Sequence, residues 1–237
     1  MGKKGKLYLI PNVLGDSEIE SVIPKGVVQT ISSITKWIAE NEKTARRFLK
    51  SANPEIKQSD LEFFILNKHT KLEQIDSFLA PLLAGEVMGL VSEAGLPCIA
   101  DPGALIVERC HNRQIKVVPL TGPSSIILAL ISSGFSGQQF TFHGYLPIDR
   151  NDRKKRMRSL EQEMQKWGYT QIFMETPFRN EKLMDDLLIN LNPSTRLCVA
   201  CDISTPSEFI STMPVKQWKS SRPNLHKRPC IFAIGKI

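Results

Sequence analysis

Several features that settle a function quickly are missing from this chain of 237 residues. No apolar run is long enough to cross a bilayer; the best, Ile126 to Ile131, lies between serine pairs and stops at Gly134. There is no GxGxxG, no phosphate-binding GxxxxGK[ST] and no GxSxG, so a standard dinucleotide fold, a P-loop and a nucleophile elbow have no sequence support. Internal repeats and low-complexity tracts are absent. The five cysteines are odd in number and scattered, which reads as reduced thiols rather than a disulfide framework. Cys198 and Cys201 form a CxxC inside a strand-like run. An i, i+3 pair on a strand points to opposite faces, so no shared metal is expected. The four histidines are scattered too. The basic N-terminus has its apolar stretch broken by Pro11 and Asn12 and lacks a small-residue cleavage site, so a cytoplasmic location is expected.

What is present reads as a globular protein with 41% hydrophobic and 23% charged residues, enough chain for one large domain or two small ones. The formal net charge of +7 favours anionic partners, nucleic acid ahead of a membrane surface, although plain solubility explains an excess of this size as well. Arg150, Arg153, Lys154, Lys155, Arg156 and Arg158 crowd one stretch. On a helix they cannot all share a face. They read either as a solvated surface or as a ridge for phosphates.

The first half alternates strand-like and helix-like segments. Leu7–Ile10, Val27–Ile31, Leu61–Leu66, Val87–Val91 and Val117–Leu120 read as strands. Trp37, Ile38, Ala45, Phe48 and Leu49 read as one helical stripe, with further helices over Leu72–Leu83 and Gly103–His111. This alternation predicts an α/β fold with a mainly parallel sheet. A helix follows over Ser124–Ser132, then a half-exposed strand through Phe140, Phe142 and Tyr145. A basic helix covers Asp152–Trp167, a strand Thr170–Met174, a helix Asn180–Leu191, and strands Leu197–Asp202 and Ile231–Ile234. Lys216–Pro229 reads as a loop. We place the domain boundary near Leu120–Thr121, giving α/β domains over residues 1–120 and 121–237.

The most telling segment is Val91-Ser92-Glu93-Ala94-Gly95-Leu96-Pro97-Cys98-Ile99-Ala100-Asp101-Pro102-Gly103. A strand runs straight into a Gly/Pro-rich bend there, and open α/β sheets bind ligands at the carboxyl ends of their strands. A second such unit, Val117–Leu120 into Thr121-Gly122-Pro123-Ser124-Ser125, lies one helix further on. Together they read as two walls of a small-ligand pocket. Glu93 and Asp101 could be paired catalytic carboxylates, but a helix cap is the preferred reading of Asp101.

These residues carry a resemblance. The segment from Val91 to Gly103 resembles the VSDAGxPxxxDPG signature of the tetrapyrrole methylase superfamily, and within it the branch that methylates the ribose 2′-hydroxyl of ribosomal RNA. Pro119–Ser125 is similar to that branch's PLPGPSA, Phe140–Pro147 to its FxFxGFLP, and Thr170–Arg179 to its TxIFxESPHR. The resemblance implies two α/β domains holding S-adenosylmethionine in the cleft between them, usually as a homodimer. Carried onto this chain, the donor contacts would be Pro11, Ala94, Gly95, Leu96, Ile99, Ser124, Ser125 and Met174. The chain departs from the branch in five places, the first being Glu93 where the VSDAG signature has Asp. Ile10–Asp16 lacks the first glycine of TPIGNLxD, EDTR gives way to Glu40–Arg47, Phe178 replaces the histidine of ESPHR, and the C-terminal RELTK block is absent near Ala200–Thr205.

For a ribose acceptor, Glu175 and Asp202 are the candidates to take the proton, each at the end of a second-domain strand. A pairing of Glu175 with Arg179 one turn away is at least as good an account of Glu175. Arg150, Arg153 and Arg179 would then hold acceptor phosphates. The resulting expectation is an S-adenosylmethionine-dependent methyltransferase on ribosomal RNA, with the small ribosomal subunit as partner and no membrane. A methyltransferase on a corrinoid, tetrapyrrole or other small molecule is the alternative, as is a non-catalytic donor-binding protein on the same scaffold.

Overall fold

The computed structural model describes residues 4–236 and divides between Ser124 and Ser125 into two compact units. The first unit contains β1 (Lys6–Ile10), α1 (Ile19–Val22), α2 (Lys25–Ile31), β2 (Lys36–Ala39), α3 (Glu42–Ala52), β3 (Glu62–Ile65), α4 (Leu72–Ile75), α5 (Ala80–Leu83), β4 (Val87–Val91), α6 (Ala104–Asn112) and β5 (Lys116–Pro119). The second contains α7 (Ser125–Ser133), β6 (Phe140–Tyr145), α8 (Arg150–Trp167), β7 (Thr170–Glu175), α9 (Asn180–Asn190), β8 (Arg196–Cys201), β9 (Phe209–Pro214), α10 (Val215–Trp218) and β10 (Cys230–Gly235).

In the first unit the strands form one parallel sheet in the order β3-β2-β4-β1-β5. Chain connections leave β1 in one direction and β4 in the other. These two neighbours therefore form the switch point, where such sheets leave a crevice at their carboxyl ends. Alternation along each strand feeds two cores. Ile10, Trp37, Ala39 and Val91 pack with Val27, Ile31, Phe48 and Leu49 of α2 and α3. Leu7, Ile38, Met88 and Leu90 pack with Leu79, Leu82, Ile106 and Cys110 on the other face. Trp37 lies flat over Gly89, where a Cβ would come within 2.4 Å of its ring, so β4 has no room for a side chain there.

The second unit's sheet is mixed, in the order β6-β7-β10-β8-β9, with β6 and β7 parallel and the rest antiparallel. Phe173, Val199, Cys201, Cys230 and Phe232 point into a core closed by α8, α9 and α10. α7 packs on β8, β9 and β10, and Phe135 just beyond it sits against Gly235. Asp149 caps α8 by accepting the Asn151 and Asp152 N–H groups at 2.8 and 3.0 Å, and Gly168 ends it with φ 76°. Arg153, Met157, Leu160 and Met164 are its buried stripe.

Three expectations are corrected. Val27–Ile31 is the helix α2, because Val27 and Ile31, one turn apart, are its buried side. Trp37 and Ile38 belong to the four-residue strand β2, and only the later half of the expected stripe is helix α3. Leu72–Leu83 breaks into α4, a 3₁₀ turn over Asp76–Leu79, and α5. The sequence pattern does not mark the strand β9, and α10 opens at Val215 and runs into the stretch read as a loop. Among the described residues no helix is long and apolar enough to cross a membrane.

Candidate functional site

The carboxyl ends of β1 and β4 are tied together beyond their strands. The Asn12 N–H donates to the Gly95 carbonyl at 2.9 Å and the Gly95 N–H returns a bond to the Asn12 carbonyl at 3.2 Å, an antiparallel bridge between parallel strands. The buried Asn12 amide also donates to the Ser92 and Glu93 carbonyls at 2.9 and 3.2 Å, while its oxygen accepts the Val13 N–H at 2.8 Å. Asn12 was not singled out from the sequence. A polar residue directly after an apolar strand and a proline was the available signal.

The turn after β4 is held in uncommon backbone geometry. Gly95, Cys98 and Ala100 have φ of 67°, 71° and 61°, the last two without the freedom of glycine. Asp101 braces them, accepting the Cys98 N–H at 2.8 Å and the Gly103 N–H at 2.7 Å. Since α6 starts only at Ala104, Asp101 is a turn brace and not the helix cap expected from the sequence. Burial raises the carboxyl of Asp101 above its ordinary value, against the opposing pull of those N–H groups. Burial, then the charges of Asp101 and Glu93, likewise raise Glu40 at the end of β2. Cys98 is pushed up to about 11 by burial and then by Asp101.

The third turn joins the same spot. Gly122 approaches Pro11 so closely that a Cβ would fall 2.1 Å from the proline Cβ, and a Cβ on Gly95 would meet Leu14 at 3.1 Å and the Pro123 carbonyl at 3.4 Å. Pro11, Gly95, Gly122 and Pro123 thus converge from three turns. Pro11 is buried, Ala94 and Ile99 are exposed, and Leu96 and Ser124 are half-buried. Beside them the β1–α1 loop and α3 enclose a cavity of about 510 Å³ that includes Asn12, Asp16, Arg47 and Glu93 in its lining.

Within the second unit, Glu175 lies in register with Cys230, which in turn pairs with Cys201, so these side chains share the face covered by α8 and α9. Met174, the next residue back, points to the other face, with Ile231 and Gly235. Glu175 is 5% exposed, and its carboxylate accepts the Thr176 N–H at 2.7 Å and pairs with Arg179. Asp202, with φ 47°, accepts from Arg228 Nε at 2.7 Å and from the Ser207 hydroxyl at 3.0 Å. Both carboxylates therefore hold arginines, and each keeps further lone pairs. Ser125 opens α7, half-buried.

The basic helix sorts its charges. Arg153 is 3% exposed and donates to Asp186 at 2.6 and 2.9 Å and to the Pro147 and Ile148 carbonyls. Its guanidinium is used inside the fold, a correction to its reading as a phosphate contact. Arg150 stays 73% exposed, 3.7 Å from Asp186, and Lys154 and Arg158 face solvent.

A family model described as "Tetrapyrrole (Corrin/Porphyrin) Methylases" matches residues 23–218. A Buchnera aphidicola (subsp. Schizaphis graminum) protein named "Ribosomal RNA small subunit methyltransferase I" is 31% identical over 210 residues, covering 89% of this chain and 70% of the relative. The Vibrio cholerae protein of the same name is 29% identical over 231 residues, covering 96% and 76%. Among solved structures, the methyltransferase CobJ aligns with a TM-score of 0.64 at 14% identity, over 99% of this chain and 95% of that one. Cobalt precorrin-4 methyltransferase aligns with a TM-score of 0.62 at 14% identity, over 97% and 94%. At that identity the two structures speak for the fold alone. Two sheets flanked by helices, the VSEAG turn in its braced geometry and a family match across most of the length agree: the chain belongs to the tetrapyrrole (corrin/porphyrin) methylase family.

Proposed function

We propose that this protein is an S-adenosylmethionine-dependent methyltransferase acting on a ribose 2′-hydroxyl of ribosomal RNA in the small subunit. The observation that carries the reading is the convergence of Pro11, Gly95 and Gly122 at the switch point of the parallel sheet. It occurs in a chain whose curated relatives carry ribosomal RNA methyltransferase names. The backbone there comes within reach of a ligand because glycine stands at both close approaches. When bound, the donor supplies a methyl group on a sulfonium, which passes to a nucleophile.

The first-unit turns contribute Pro11, Ala94, Gly95, Leu96, Ile99 and Ser124 as donor contacts, and Ser125 and Met174 complete the proposed set. These residues hold the donor largely by main-chain groups and apolar contact, and their rigidity makes the approach of the acceptor effectively intramolecular. A ribose hydroxyl is a weak acid, so a carboxylate must receive its proton as the bond forms. Glu175 and Asp202 are the proposed acceptors, each with lone pairs beyond those given to arginine. Arg150 and Arg179 are the proposed partners of acceptor phosphates. The proposal extends to a homodimer in the cytoplasm.

The test is transfer of labelled methyl from S-adenosylmethionine to small ribosomal subunits from a strain lacking this gene. Nuclease digestion then locates the label. Label in a 2′-O-methylated nucleotide supports the reading. Label accepted only by a corrinoid or tetrapyrrole overturns it in favour of the small-molecule alternative.

A further inference from the structure

Two adjacent arginines on α3 have opposite fates. Arg46 is anchored: it pairs with Glu42, donates to the Gln58 carbonyl at 2.6 Å and the Leu61 carbonyl at 3.2 Å, and lies 4.6 Å over the ring of Phe63. Arg47 lines the 510 Å³ cavity, is exposed, and among the described residues has no carboxylate partner. The difference lies in the helix: Arg46 is one turn beyond Glu42, whereas Arg47 falls on the face with Thr44, Phe48 and Ser51 that looks into the cavity.

The cavity's polarity is ordered along that face. One turn before Arg47, the Thr44 hydroxyl donates to Glu93 at 2.6 Å, so the carboxylate sits at that end. Phe48, 5% exposed, supplies an apolar wall with Leu14 and Ile19. Arg47, followed one turn on by the Ser51 hydroxyl, supplies a cation that forms no ion pair among the described residues, although the Asp16 carboxylate also lines the cavity. The volume is that of a small-ligand site. A phosphorylated sugar carrying a flat ring matches this order: hydroxyls toward the carboxylate, ring against the apolar wall, phosphate on the guanidinium.

We propose that this cavity takes one nucleotide of the acceptor RNA strand, with Arg47 as the residue that binds its phosphate. The inference rests on the ribosomal RNA reading and assigns it a contact in the first unit, at the end of the Glu40–Arg47 block where the chain departs from the branch's EDTR. Arg47 acts by positioning and does not touch the reacting atoms.

The experiment measures binding of small-subunit ribosomal RNA, transcribed in vitro, as a function of salt. Wild type, Arg47→Ala, Arg47→Lys and Lys50→Ala are compared. Lys50 is an exposed cation of the same helix that does not line the cavity. Loss of one phosphate contact makes the slope of log affinity against log salt shallower by about 0.7 for a single strand. Arg47→Ala is expected to show that change with roughly tenfold weaker binding at low salt. Arg47→Lys keeps the slope, Lys50→Ala keeps both values, and all variants bind S-adenosylmethionine like wild type. Arg47→Ala indistinguishable from Lys50→Ala overturns this inference alone. Loss of donor binding in Arg47→Ala overturns it too, by giving the cavity to the donor. Wild-type protein without RNA affinity overturns both this inference and the reading beneath it.

Discussion

Asn12 and Gly95 stand just past the ends of two neighbouring parallel strands and pair with each other in the antiparallel sense, exchanging both backbone hydrogen bonds. The bridge converts two separate strand ends into one rigid edge. It fixes where Gly95, Cys98 and Ala100 hold their positive φ values, and hence which main-chain groups face a ligand.

Asn12→Ala removes both amide donors and leaves the Ser92 and Glu93 carbonyls without them. The Ser92 carbonyl is a buried acceptor, and stripping such a group of its partner costs about 1–3 kcal/mol. Thermal denaturation should show the midpoint falling by several degrees, with weaker donor binding in the folded protein. An unchanged midpoint contradicts the bracing role.

Asp186 is the anchor of the basic helix. It is 4% exposed and meets Arg153, itself 3% exposed. Asp186→Ala leaves a buried guanidinium uncompensated, a loss of about 3–5 kcal/mol. Lys155→Ala, which breaks the solvent-facing pair with Asp152, should cost under about 1 kcal/mol. Denaturant midpoints of the two variants measure the contrast, and equal effects contradict it.

His143 gives a pH dependence of definite sign. Its ring nitrogens meet Gln171 Oε1 at 2.7 Å and Arg156 Nη2 at 2.9 Å, with Glu163 beyond Arg156. Burial lowers its pKa from 6.5; the Gln171 bond and the Glu163 charge oppose this, and the Arg156 charge adds to it. The folded protein therefore binds fewer protons here than the unfolded chain. The contribution is complete above about pH 6.5 and is lost as pH falls toward the lower folded value. His143→Gln should flatten the stability profile in that acidic window and leave the slope above pH 7 untouched. A variant with the wild-type slope below pH 6.5 contradicts the assignment.

Strands flanked by unmistakable turns could be read from the sequence. Val87–Val91 running into Ser92–Gly103 marked both β4 and the turn proposed for the donor, because an apolar run meeting Gly and Pro has few structural solutions. Two first-unit elements were hidden by ambiguity of period. Val27 to Ile31 is β-branched and apolar enough to pass for a strand, and only its packing under β1 and β2 makes it a helix. β2 is four residues long, too short to show alternation. β9 is a half-buried edge strand whose mixed composition carries no period at all.

The site was legible where it is backbone and obscure where it is side-chain pairing. Gly95 and Gly122 announce turns, whereas nothing in Arg46-Arg47 says which cation is anchored until α3 is rolled against Phe63. The i, i+4 spacing of Glu42 and Arg46 was the one usable clue. For the same reason the sequence offers Arg153 as a phosphate contact, although it lies in the core while its neighbour Lys154 is in solvent.

Calorimetric titration with S-adenosylmethionine asks whether the braced turn after β4 holds the methyl donor, as proposed. Wild type, Gly95→Ala and Gly95→Trp are compared, with thermal denaturation showing that each is folded. Alanine at φ 67° costs about 1–2 kcal/mol of stability and adds one methyl facing Leu14. Tryptophan fills the space between Leu14 and Pro123. Wild type is expected to bind, Gly95→Ala to bind still, and folded Gly95→Trp to bind at least about tenfold more weakly, a difference of about 1.4 kcal/mol. Folded Gly95→Trp with wild-type donor affinity contradicts the proposal and removes this turn from the site.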